Sequence, residues 1–312
     1  MKMVGMNLKK ALFVILLVAC VFPMVSTVDA LIAGILFSLL LGNPWPQKSS
    51  DWSRKLLQLS VVGLGFGQSL GQVWQVGKSS VGYTIIGISL TLCFGLLLGR
   101  FFKTEKNTSA LISFGTAICG GSAIAAMSPV LKAKDDEAAL ALATVFTLNS
   151  VALLVFPFLG HLLHLSQHQF GVWAGLAIHD TSSVVGAAAA YGSAALATGT
   201  TVKLTRAMWI IPFVIGAAWM TKSDSKAKVP LFIIGFVVAA AMRTLLPQFD
   251  NVWGEMAVFA KQALVMTLFL IGAGLTKEIL QKVGIRPLAQ GVSLWLLASG
   301  LTLAAITYGV IG

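Results

Sequence analysis

The chain has 312 residues, 57% of them hydrophobic and only 11% charged, with a formal net charge of +11. A soluble domain carries about 25% charged residues, so a water-facing surface of ordinary composition is excluded. The positive balance is not a sign of nucleic-acid binding, because the basic residues punctuate long apolar blocks, as the positive-inside rule produces.

A helix needs about 20 apolar residues to cross the hydrocarbon core. Helices satisfy their own backbone hydrogen bonds in lipid, and the short alternating segments of a β-barrel are absent. The expected class is an all-α polytopic membrane protein of about 9–11 membrane segments, forming one transmembrane domain over the whole chain.

Lys2, Lys9 and Lys10 precede the apolar run Ala11–Val21. They place the N-terminus in the cytoplasm and predict a first helix over 11–25. A cleaved signal peptide is the competing reading, but no clear small-residue cleavage site precedes Pro23. A second helix is predicted over 28–42, then a loop at Asn43–Ser50 leading to cytoplasmic Lys48, Arg54 and Lys55. A third helix runs to about Val76 and a fourth covers 80–99, returning to Arg100, Lys103 and Lys106.

The segment Leu111–Leu131 behaves differently. Gly115, Gly120, Gly121 and Pro129 weaken a continuous helix. Lys132 and Lys134 follow directly and would lie outside if the segment crossed. A broken or re-entrant hairpin is expected. Ala138–Gly160 then crosses outward to His161–Gln169, a loop with three histidines and no Lys or Arg. Gly171–Ala197 is a second interrupted segment, with Gly175, His179, Asp180, Gly186 and Gly192. A helix ending at Lys222, Lys226 and Lys228 follows. Val229–Leu246 leads out, 255–275 returns to Lys277, Lys282 and Arg286, and the last helix ends outside. On this trace all 22 basic residues are cytoplasmic except Lys78, Lys203, Arg206, Arg243 and Lys261.

Three pairs of segments look alike. Leu31–Ile35 with Pro46-Gln47 matches Phe232–Phe236 with Pro247-Gln248. Gly65-Phe66-Gly67 with Val76-Gly77 matches Gly272-Ala273-Gly274 with Val283-Gly284. Gly115-Thr116-Ala117-Ile118 with Ser122 matches Gly175-Leu176-Ala177-Ile178 with Ser182. The trace gives each pair opposite orientations, so inverted repeats are expected, with halves near 28–160 and 170–312, as in many secondary transporters. The third pair lies adjacent in the chain, an order that a circularly permuted second repeat would produce.

Broken membrane helices expose backbone donors at their half-helix N-termini, which favour anions. Gly120, Gly121 and Ser122, and Thr181, Ser182 and Ser183, are suited to such ends; tight helix packing is the competing use of these small residues. His179 and Asp180 are ionisable within an apolar segment, where a charge costs about 2.5–3.5 kcal/mol. They are candidates for proton or ion coupling. Alternatively Asp180 caps a helix, satisfying Ser182 and Ser183, and His179 lies at the membrane surface. Lys203 and Arg206 share a helix face at i, i+3 and could attract an anion, snorkel to the interface or pair with Asp180. Arg243 reads as interfacial, and Asn149 needs a hydrogen-bond partner within its span. Cys20, Cys93 and Cys119 lack metal-ligand spacing, and Cys20 and Cys93 read as small buried hydrophobes. His161, His164 and His168 have no local fourth ligand, so no metal or other cofactor is expected.

The run GTAICGGSAIAAMSPV, with LGFGQSLGQ upstream and GLAIHDTSSVVGAAAAYG downstream, resembles the YeiH family of bacterial inner-membrane proteins over nearly the whole chain. The resemblance implies a multi-pass bacterial inner-membrane protein that exports an anion, sulfate by the family's usual description. The motif positions it carries over are Thr116, Cys119, Gly120, Gly121, Ser122, His179, Asp180, Thr181 and Ser182. It also implies kinship with bile-acid-symporter-like folds. The expected function is secondary transport of a small anion rather than catalysis; the alternatives are a membrane-embedded metal-dependent enzyme or a passive anion channel. No ATP-binding GxxxxGK[ST] motif is present. A small anion and the lipid bilayer are the expected partners, and a homodimer is left open.

Overall fold

The computed structural model describes residues 2–221, 231–274 and 284–311. Lys222, Lys226, Lys228, Lys277 and Lys282, which anchor two inner ends of the charge trace, lie outside the described residues. The described elements are helical, and the chain is an all-α polytopic membrane protein. Five stretches are long and apolar enough to cross a membrane: Leu70–Phe101, Asp135–Leu162, Ser193–Trp219, Pro247–Ala273 and Ile285–Thr307. Thr27–Leu41 and Leu231–Leu245 are shorter apolar helices.

The described residues fall into two compact units, each assembled from separated stretches of chain. The first takes residues 2–73 and 231–274. It contains α1 (Lys2–Ala19), α2 (Thr27–Leu41), α3 (Pro46–Gly65), α12 (Leu231–Leu245) and α13 (Asp250–Gly274). Phe13, Phe37 and Phe269 meet edge to face at its centre. In lipid, helices associate by close packing rather than by escape from water, so small residues at the crossings decide the fit. A Cβ on Gly34 of α2 would strike the Phe269 carbonyl of α13, and one on Gly235 of α12 would strike Val62 of α3. Likewise Gly272 of α13 backs onto Leu31 and Ile35 of α2, and Gly65 of α3 onto Phe236 of α12. These contacts follow the first two sequence pairs: Gly34 corresponds to Gly235, Ile35 to Phe236, and Gly65 to Gly272.

The expected junction between the third and fourth helices is corrected. It lies at 66–69, and α4 then runs unbroken over Leu70–Phe101. Ser69 and Gln72 form a reciprocal cap, the Ser69 N–H donating to Gln72 Oε1 and the Gln72 N–H to Ser69 Oγ. That S-x-x-Q pattern starts a helix where hydropathy alone shows no boundary. Cys93 is also corrected: it is exposed on α4, not buried. Arg243 is partly buried, donating to the Phe66 carbonyl and pairing with Asp250 at 3.0 Å.

The second unit takes residues 74–221 and 284–311. Besides most of α4, it holds α5 (Lys106–Ala117), α6 (Gly121–Met127), α7 (Asp135–Leu162), α8 (Gln167–Ala177), α9 (Thr181–Tyr191), α10 (Ser193–Met208), α11 (Ile210–Thr221) and α14 (Ile285–Thr307). Ser109 and Ser113 of α5 pack on Gly99 and Gly95 of α4, and buried Gln290 of α14 donates to the Gly95 carbonyl. These contacts hold α4, α5 and α14 together.

Candidate functional site

Both interrupted segments turn back on themselves. In the first, Ile124 of α6 lies on Gly115 of α5. The base closes where Asn107, at the start of α5, donates to Glu137 in the first turn of α7. In the second, the Tyr191 hydroxyl at the end of α9 donates to the Leu165 carbonyl just before α8. The Tyr191 ring stacks on Phe170 at 3.8 Å, and Gln167 accepts from the Ala194 N–H. Gly171 and Gly175 of α8 let that helix sit directly on Thr198, Gly199 and Val202 of α10.

The tips of the two hairpins touch. Gly120 has φ +66°, and a Cβ there would lie 3.0 Å from the Asp180 Cβ. Both the left-handed backbone and the close approach call for glycine at this position. Asp180 is the N-cap of α9, as its capping alternative anticipates. Its Oδ1 accepts from the Ser183 N–H at 2.6 Å and the Ser182 hydroxyl at 2.8 Å. Its Oδ2 accepts from Asn149 Nδ2 at 3.1 Å and the Ser183 hydroxyl at 3.2 Å. Asn149 also accepts the His179 backbone N–H through its Oδ1. This residue of α7 is the one that sequence reasoning left out of the site; its signal was a lone amide inside an apolar span.

His179 is 1% exposed, its ring enclosed by protein. Its ring nitrogens make no hydrogen bond of ordinary geometry, and neither does the buried Thr116 hydroxyl. The imidazole is therefore not joined to the Asp180 carboxylate.

Lys203 and Arg206 are buried, 0% and 3% exposed, and neither snorkels nor pairs with Asp180. Lys203 Nζ donates to the Ile178 carbonyl at 2.6 Å. Arg206 donates through Nε to the Ala117 carbonyl at 2.6 Å, through Nη2 to that of Thr116 at 3.2 Å, and through Nη1 to that of Leu176. One guanidinium thus caps the C-terminal ends of α5 and α8 together. Carbonyls at helix C-termini lack partners and carry partial negative charge, so a buried cation is well placed there. Lys203 and Arg206 set against Asp180 leave the tip region with one formal positive charge.

The remaining candidates differ in access. Ser122 is exposed, and Gly121, Thr181 and Ser182 are half-buried. Thr116, Cys119 and Ser183 lie below the surface. An apolar cavity of about 410 Å³ between α4 and α14 is also lined by Leu176 and Arg206. The loop histidines do not gather: His161 stacks on Tyr191, and His168 Nδ1 lies 3.3 Å from Thr198 Oγ1. Among the described residues no three His, Cys, Asp or Glu side chains converge as metal ligands.

The model of the family described as conserved hypothetical protein 698 matches residues 6–291. A UPF0324 membrane protein of Geobacter sulfurreducens is 64% identical over 302 residues, covering 97% of each chain. One of Bdellovibrio bacteriovorus is 51% identical over 310 residues, covering 97% of this chain and 95% of its own. One of Bacteroides thetaiotaomicron is 49% identical over 282 residues, covering 89% and 86%. No solved structure matches. The chain therefore belongs to the conserved hypothetical protein 698 family, the UPF0324 membrane proteins, which is the YeiH family to which its glycine-rich motifs point.

Proposed function

We propose that the chain is a secondary transporter of a small anion, sulfate or a related sulfur oxyanion or sulfonate, in the bacterial inner membrane with its N-terminus cytoplasmic. The observation that carries this reading is the meeting of two hairpin tips over two buried basic side chains and one carboxylate. Irregular backbone at membrane depth is tolerated where it lines a cavity or is held by protein, and paired half-helices are a transporter device. The anion's partners are the half-buried Gly121, Thr181 and Ser182 and the exposed Ser122. Thr116, Cys119 and Ser183 stand behind them, and Lys203 and Arg206 supply the favourable potential. The two-turn α6 has little dipole of its own, so the formal charges carry more of that potential than the helix end does.

Asp180 and His179 are the coupling groups in this reading. A transported proton would exchange Asp180 between a four-acceptor carboxylate and a neutral acid, loosening its hold on Asn149 and Ser183. Opposite orientation of the two hairpins, as the charge trace has it, would give the site access from either side.

The test is flux in proteoliposomes. Radiolabelled sulfate, sulfite and small alkanesulfonates should exchange under a pH or sodium gradient, and Asp180→Asn should abolish gradient-driven uptake. No flux for any of these anions under either gradient would refute the proposal. Single-channel currents would replace it with a passive channel.

A further inference from the structure

The compact unit of α1–α3, α12 and α13 has a groove of its own, about 510 Å³ in volume. Phe13, Val14 and Leu17 of α1, Leu56 of α3, and Met266 and Leu270 of α13 form its apolar walls. Trp45, Lys48 and Trp52 line its other end. The chemistry is graded along the helices. Lys10, Phe13, Val14 and Leu17 share one face of α1 at i, i+3, i+4 and i+7. Lys48, Trp52 and Leu56 do the same on α3 at i, i+4 and i+8. At 1.5 Å rise per residue, Leu17 and Leu56 lie about 10–12 Å along their helices from Lys10 and Lys48, while Lys55 brings its ammonium toward Trp52 from the level of Leu56.

The rim is strongly basic. The Lys10 ammonium lies 5.7 Å from the Trp45 ring centre, and that of Lys55 lies 5.8 Å from the Trp52 ring centre. Lys9 reaches Gly42 at the end of α2, and Arg54 is exposed on α3. Asp51 is the one acid among them; Asp29, the other acid within residues 2–73, belongs to the first turn of α2, at its opposite end. Trp52 is 58% exposed despite its size. Tryptophan rings beside Lys and Arg are the usual furniture of the lipid headgroup level. A cleft that is cationic and aromatic at that level and purely aliphatic and aromatic below it matches an amphiphile with an anionic head and a hydrocarbon tail.

We infer that this groove binds an anionic phospholipid. The phosphodiester sits among Lys10, Lys48 and Lys55, and one acyl chain descends past Trp52 to Leu17, Leu56, Met266 and Leu270. A zwitterionic lipid would bring its own ammonium to a rim already crowded with cations, so selectivity for net negative charge follows. This site shares no residue with the hairpin tips and does not depend on what they transport.

The test uses the full chain in phosphatidylcholine vesicles containing increasing fractions of brominated phosphatidylglycerol or brominated phosphatidylcholine, with tryptophan fluorescence as readout. Brominated phosphatidylglycerol should reach half-maximal quenching at a several-fold lower fraction than the zwitterionic lipid. The triple variant Lys10→Gln, Lys48→Gln, Lys55→Gln should erase that preference while retaining helical circular dichroism and ordinary quenching by phosphatidylcholine. The double variant Trp45→Phe, Trp52→Phe should lose the phosphatidylglycerol-specific component. Equal quenching of the unmodified chain by both lipids overturns the inference without any variant. So does a preference that survives either set of substitutions. Protection from both lipids, together with a dimeric mass, would also overturn it by assigning the groove to a second copy.

Discussion

The two hairpins of the second unit start from nearly the same words, Gly115-Thr116-Ala117-Ile118 and Gly175-Leu176-Ala177-Ile178, and diverge at the tip. The first continues Cys119-Gly120 and enters a seven-residue α6 with no side-chain cap. The second continues His179-Asp180 and enters an eleven-residue α9 capped by the Asp180 carboxylate. Ionisable chemistry is thus concentrated on one tip, and the other contributes backbone and absence of bulk. Gly120 is where the first hairpin makes room for the second. Arg206 then treats the two incoming helices alike, capping both at their ends.

Substitutions can break this division of labour, and the largest effect belongs to the smallest residue. Gly120→Ala places a methyl against Asp180 and forces a left-handed backbone on a chiral residue. The strain, about 1–2 kcal/mol, and the overpacking, about 1–3 kcal/mol, should together lower the thermal unfolding midpoint in detergent sharply and abolish flux. An unshifted midpoint would mean that the tips do not touch. Arg206→Met retains bulk but strands three carbonyl contacts. Buried acceptors left without a donor cost about 1–3 kcal/mol, so this variant should rank close behind, by the same midpoint measurement. If it proves neutral, the guanidinium is not the common cap.

Asp180 separates structure from transport. Asp180→Ala should cost about 1 kcal/mol as a lost cap, and Asp180→Asn less. Gradient-driven flux should vanish in both. Flux that tracks only the stability loss would leave Asp180 as a cap and nothing more. Ser122→Ala makes the smallest change: the residue is exposed, so stability should stay within about 0.5 kcal/mol. Substrate affinity should nevertheless weaken measurably, read as a higher half-saturating concentration in the flux assay. An unchanged value would remove Ser122 from the site.

Much of this geometry was readable in the sequence where composition and charge agreed. The break within 111–131 was legible because its glycines weaken a continuous helix. The boundary at 66–69 was not, since Gly65-Phe66-Gly67 is no less apolar than its surroundings; the marker was Ser69 with Gln72, a local hydrogen-bond pattern invisible to hydropathy. The i, i+3 spacing of Lys203 and Arg206 correctly gave one shared face but could not give their destination. Their acceptors, Ile178, Leu176, Ala117 and Thr116, lie on other helices, and long-range acceptors leave no periodic trace. Asn149 announces the need for a partner, but its partners lie 30–31 residues away, and nothing in the local sequence points to them.

The paired crossings in the first unit bear on how the chain is made. Gly34 and Gly65 close onto helices that begin only at Leu231 and Asp250. At roughly 5–20 residues per second, α2 and α3 wait about 10–40 s on the ribosome before their partners exist. During that interval two bare glycine faces stand open to the bilayer or to the insertion machinery. Assembly of this unit therefore waits for the last third of the chain, and a nascent chain arrested before Leu231 should yield α5–α9 already docked while α2 and α3 remain unpartnered.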